Sequence, residues 1–125
     1  MVLFDTSILV DAARKNKAAL DLIESYAGKE KIATTTITKY EMLRGATNQD
    51  IDFITQLLDK FVIYDFEDAV VDQVVETYKM LAKKGKLVNE LDIIIAGIAL
   101  AHDETLVTKD KDFWNFESNK IIVLS

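Results

Sequence analysis

The 125-residue sequence predicts an α/β fold: one parallel sheet of about five strands with helices on both faces. Three observations carry this expectation. Short apolar runs alternate with stretches of helical period along the whole chain. The first run, Val2-Leu3-Phe4, is continuously apolar, as in a strand covered on both sides. Proline is absent, and no linker, repeat or low-complexity stretch interrupts the pattern, so residues 1–125 are read as a single domain.

The first strand, Val2–Phe4, ends on Asp5, where the chain would leave the sheet. Residues 7–15 and Lys17–Ala27 read as helices, the second with Leu20, Ile23 and Ala27 as its apolar stripe and Gly28 as its stop. Residues 31–34 form the second strand. A helix over 36–46 breaks near Gly45 and restarts after Asn48, a good N-cap, with Ile51, Ile54, Leu57, Leu58 and Phe61 at helical spacing. Residues 61–64 form the third strand. Residues 67–84 make the clearest amphipathic helix, with Val71, Val74, Val75, Tyr78, Leu81 and Ala82 on its apolar side and Gly85 after it. Asn89 caps a helix over 90–102 that is apolar nearly all round and is therefore expected inside. Thr105–Thr108 is the fourth strand, 110–116 a helical turn, and 121–124 the fifth strand.

Composition narrows the chemistry. The chain has no cysteine, which excludes disulfides, thiolate metal sites and a cysteine nucleophile. Its one histidine, His102, excludes a two-histidine acid/base pair within the chain. No charged leader precedes an apolar segment, and the longest apolar run, 93–101, is too short to span a bilayer, so a cytoplasmic protein without a membrane partner is expected. The net charge of −6 argues against nucleic acid, unless several acids converge on divalent cations that reverse the local sign.

Such a convergence is predicted. Asp5 ends strand one, and Asp110 and Asp112 follow strand four. Asp92 opens the buried helix, and Glu41 lies in the helix after strand two. A parallel sheet places these ends on one rim, where ligands of open α/β sheets bind. Each acid also has a plain structural reading. Asp5 and Asp110 can be helix caps, Glu41 can close a capping box with Thr38, Asp92 can answer the positive helix end, and Asp112 can be solvated. Ala96 and Ala99, with Gly97 beside them, leave a small face that would let this helix press on the sheet and bring Asp92 near the strand ends. Oxygen ligands without His or Cys suit Mg²⁺ or Mn²⁺.

Four segments then resemble one known family. Asp5-Thr6-Ser7-Ile8-Leu9-Val10-Asp11 is similar to the opening of PIN-domain ribonucleases, in particular the VapC-type toxins of toxin–antitoxin pairs. The segments 37–45, Asp92-Ile93-Ile94-Ile95-Ala96 and 106–113 match that family's pattern in order. The resemblance implies that Asp5, Glu41, Asp92 and Asp110 are the catalytic acids, that Asp5, Asp92 and Asp110 bind Mg²⁺ or Mn²⁺, and that Thr6 and Thr108 orient ligands or water. Asp112 competes with Asp110 for the fourth place. It further implies hydrolysis of RNA to 5′-phosphate and 3′-hydroxyl ends, a VapB-type antitoxin partner and a homodimer.

RNA would be positioned by Arg14, Lys15 and Arg44, although the first two, with Lys17, also read as a solvated helix end. Lys83, Lys84 and Lys86 read as a helix C-terminus answering its dipole. Phe113, Trp114 and Phe116 are expected to pack on the sheet edge rather than stack on bases. Two rivals remain open: a response-regulator-like receiver domain with Asp65 as phosphoacceptor, and an inactive PIN-like fold that serves as a binding module.

Overall fold

The computed structural model describes residues 1–116 and 118–124. Five strands form one wholly parallel sheet in the order β3-β2-β1-β4-β5, with β1 Val2–Phe4, β2 Ile32–Thr35, β3 Val62–Tyr64, β4 Thr105–Thr108 and β5 Ile121–Val123. The helices are α1 Thr6–Ala13, α2 Lys17–Ala27, α3 Thr36–Arg44, α4 Ile51–Leu58, α5 Asp68–Lys83 and α6 Glu90–Ala101, and a 3₁₀ turn spans Lys111–Phe116. The expected element order holds throughout, with ends shifted by a few residues at most. The restart after Gly45 is one of these shifts. Helix α4 begins at Ile51 rather than just after Asn48, because Asp50 Oδ1 accepts from Thr47 N–H at 2.5 Å and closes a turn ahead of it.

β1 is the central strand because both its faces are apolar. Val2 and Phe4 pack on one side with Ile8, Leu9, Ile23, Ile54 and Leu57, which come from α1, α2 and α4. Leu3 faces the other side, against Ile93, Ala96, Ala99 and Leu106. The chain runs outward from β1 through β2 to β3, then crosses back to place β4 on the other flank of β1. This reversal opens the crevice at the carboxyl ends of β1 and β4.

α6 is buried as expected, with Ile93, Ile95, Ala96, Gly97, Ile98 and Ala99 all inside. Ala96 and Ala99 do face the sheet cluster, but Gly97 serves a different neighbour. A Cβ built on Gly97 would lie 2.7 Å from Val74 Cα, so its missing side chain is what lets α5 lie against α6.

That close approach sets the rotation of α5 and corrects its expected apolar face. The buried residues are Val70, Val74, Thr77 and Leu81, whereas Val71, Val75 and Tyr78 stand 36%, 43% and 44% exposed. Adjacent valine pairs gave two candidate stripes, and the approach at Gly97 selected the one containing Thr77. Its hydroxyl is satisfied by the Gln73 carbonyl at 2.9 Å. The terminal aromatics divide likewise. Phe113 and Phe116 are buried and stacked with centroids 5.1 Å apart, while Trp114 is 60% exposed and does not pack on the sheet as expected.

Candidate metal centre

Asp5 is the first residue past β1 and is nearly inaccessible, 2% exposed. Its reading as a helix cap holds. Its Oδ1 accepts from Ile8 N–H at 3.4 Å and so caps α1, and the same oxygen accepts from Ser7 Oγ at 2.7 Å. Its other oxygen accepts from the buried Thr108 hydroxyl at the end of β4. The register explains this meeting, since Phe4 pairs with Val107 and the next residue of each strand lies at the crevice. Burial raises the Asp5 pKa above the ordinary carboxyl range, and the hydrogen bonds from Thr108, Ser7 and Ile8 oppose that rise.

The Thr108 hydroxyl also accepts from Asp110 N–H at 3.0 Å and lies 3.3 Å from Ser7 Oγ. Asp110 in turn caps the 3₁₀ turn, its Oδ1 accepting from Asp112 N–H at 2.9 Å. Asp112 itself is exposed.

Glu41 lies within α3, not in a capping box. No loop separates β2 from α3, so Thr35 becomes the N-cap, accepting from Thr38 N–H at 3.2 Å. This displaces Thr38 into the helix and leaves Glu41 free to face α1, where it accepts from Thr6 Oγ1 at 2.7 Å. Thr6 and Thr38 hydroxyls lie 3.0 Å apart.

Asp92 completes the set from the first turn of α6, where Asn89 is the N-cap and accepts from Leu91 N–H at 2.9 Å. Its pKa is pushed up to about 7, first by burial and then by the charges of Asp110, Asp5, Glu41 and Asp112. The predicted acids therefore lie within electrostatic reach of one another. Among the described residues, no group of three or more is drawn tightly enough to hold a metal ion as it stands. Oxygen donors from four separate segments, mutually repelling, fit a hard divalent cation by their chemistry.

The predicted cations separate. Arg14 lines a cavity of about 190 Å³ together with Glu41, Met42, Gly45 and Asp50, beside the acids. Lys15 turns instead toward α4, its ammonium 5.2 Å from the Phe53 ring centre. Arg44 lies over the Tyr40 ring at 5.1 Å. Three contributors escaped the sequence reading. Ser7 and Thr38 belong to the hydroxyl network, and Asp11 is ion-paired with Lys109 after β4. Ser7 and Asp11 lie inside the segment 5–11 and Thr38 inside 37–45, but nothing local to them names the partners they meet.

This arrangement, acids gathered over the crevice of a parallel sheet, is that of a nuclease-like PIN domain. The PIN domain family pattern matches residues 2–118, and the chain belongs to that family. It is similar to ribonuclease VapC1 of Methanocaldococcus jannaschii, 27% identical over 111 residues that cover 88% of this chain and 76% of that protein. Among solved structures it resembles a chain of VapBC2 from Rickettsia felis bound to a promoter DNA fragment, at 25% identity and TM-score 0.86, covering 99% of this chain and 98% of that one. A chain of DNA-bound VapBC from Salmonella typhimurium shares the fold at 18% identity and TM-score 0.86, with 98% of each chain covered. The receiver alternative falls with this assignment. Asp65 follows the edge strand β3, separated from β1 by β2. Among the described residues no helix is long and apolar enough to cross a membrane.

Proposed function

We propose that this chain is a metal-dependent endoribonuclease of VapC type, the toxin half of a toxin–antitoxin pair, with residues 1–125 acting as one cytoplasmic nuclease unit. The observation that carries the reading is Asp92, a half-buried carboxyl pushed up to about 7 by burial and by four acids from other segments. A carboxylate so placed favours a proton or a cation, and Mg²⁺ or Mn²⁺ is the cation its all-oxygen neighbours suit. Asp5, Asp92 and Asp110 would hold it, with Glu41 as the remaining acid and Asp112 at the margin. The bound metal supplies an activated water and neutralises the scissile phosphate.

The chain's own groups set the stage for that chemistry. Thr108 and Ser7 occupy one oxygen each of Asp5 and fix its plane. Thr6 does the same for Glu41. Arg14, which lines a cavity with Glu41, would meet a phosphate of the RNA, and Arg44 would offer a second cation on α3. Lys15, turned toward Phe53, is the weaker candidate. Similarity to ribonuclease VapC1 and to chains of VapBC complexes supports a VapB-type antitoxin partner, and a homodimer is part of the same reading.

The test is digestion of a total-RNA pool with Mg²⁺ or Mn²⁺ and with EDTA, with the ends mapped. Cleavage that needs metal and leaves 5′-phosphates is expected. Asp5→Asn should retain the circular dichroism spectrum and abolish cleavage, and retained cleavage refutes the assignment. RNA left intact under every metal condition would leave the chain a PIN-fold binding module.

A further inference from the structure

Lys109 stands between two residues of the acid pocket, Thr108 and Asp110, yet its charge is engaged elsewhere. Its ammonium is ion-paired with Asp11 on α1. Its backbone N–H donates to Ser7 Oγ at 3.1 Å. Asp11 lies one helical turn beyond Ser7, so a single face of α1 holds both the main chain and the side chain of Lys109. The pair is partly covered, with side-chain exposures of 49% for Lys109 and 21% for Asp11.

The electrostatics give this arrangement a consequence. Repelling carboxylates crowd around Asp92. A lysine on a flexible four-carbon stem, adjacent in sequence to Asp110, is one means of neutralising them. An ammonium folded into that pocket would take the place of a divalent cation. We propose that Asp11 is a positioning residue that holds Lys109 out of the acid pocket and so keeps the pocket open for the metal. The inference rests on the metal-site reading above.

The test is Mn²⁺ binding by the whole chain, followed by the loss of the free-ion paramagnetic resonance signal. Asp11→Asn should weaken Mn²⁺ binding about fivefold, the upper end for a partly exposed charge pair. Lys109→Gln should bind at least as tightly as the unsubstituted chain, and Asp11→Asn combined with Lys109→Gln should restore the affinity. A purely structural latch gives the opposite pattern, because either substitution would then weaken binding and the double variant would not recover. That pattern, or unchanged binding in Asp11→Asn, overturns the proposal. Failure of the unsubstituted chain to bind Mn²⁺ overturns the metal site itself, and the proposal with it.

Discussion

Gly97→Ala is a sharp probe of how the fold presents its site. The added Cβ would lie 2.6 Å from Val74 Cγ2, 2.7 Å from Val74 Cα and 3.1 Å from Val74 Cβ. Carbon atoms at their optimal separation stand about 3.5–4.0 Å apart, so α5 and α6 must part by about 1 Å. A rotamer change can move Cγ2, but the Cα moves only with the backbone. The clash therefore falls at the upper end of overpacking costs, about 3 kcal/mol, offset by about 1 kcal/mol of improved helix propensity. The net loss should be about 2 kcal/mol, or roughly 8 °C in melting temperature. Urea denaturation measures it, with Gly28→Ala as control, since a Cβ there meets nothing closer than 3.6 Å. Val74→Ala in the Gly97→Ala background should recover part of the added cost and not all of it, because the clash with the α5 backbone remains. Asp92 rides on the same helix five residues earlier, so stabilisation of the protein by Mg²⁺ should shrink as well. A Gly97→Ala protein within about 0.5 kcal/mol of the unsubstituted chain would refute the close approach.

Other consequences are open to direct measurement. Asp92 has a folded pKa of about 7, above its ordinary value, so the folded state holds that proton more tightly. Its contribution is therefore fully present below the ordinary carboxyl pKa and lost as pH rises through about 7. Asp5 is shifted in the same direction. The metal-free protein should melt higher at pH 5.5 than at pH 8, Mg²⁺ should narrow that gap, and Asp92→Asn should flatten it; a flat profile in the metal-free parent would contradict the crowding of acids. Thr108→Val removes a buried hydroxyl that donates to Asp5 and accepts from Asp110 N–H, and should cost about 2 kcal/mol in denaturant midpoints. Phe113→Ala should cost about 3–5 kcal/mol, whereas Trp114→Ala should stay within about 0.5 kcal/mol, a contrast that reads out which aromatic is inside.

The apolar runs and the residues that end them made the elements legible, because a strand covered on both sides leaves no doubt about its composition. Asp5 was legible for a related reason: a charge directly after such a strand must lie at a rim. The face of α5 was not, since Val70, Val71, Val74 and Val75 allow two stripes and the choice depends on a glycine in another helix. Glu41 fits the capping-box spacing with Thr38, but β2 runs into α3 without a loop and moves the cap three residues earlier, to Thr35. The Asp11–Lys109 pair spans 98 residues, and a lone acid on a short helix carries no trace of so distant a partner.

Joining β1 to β4 also has a consequence in time. The hydroxyl that holds Asp5 is 103 positions further along the chain, and β4 is one of the two neighbours of the innermost strand. During synthesis that strand therefore waits, with one flank open, until most of the polypeptide has left the ribosome. A nascent fragment ending before β4 carries Asp5, Glu41 and Asp92 but lacks Thr108 and Asp110. The acid pocket is thus completed only late in synthesis, once β4 has paired with β1.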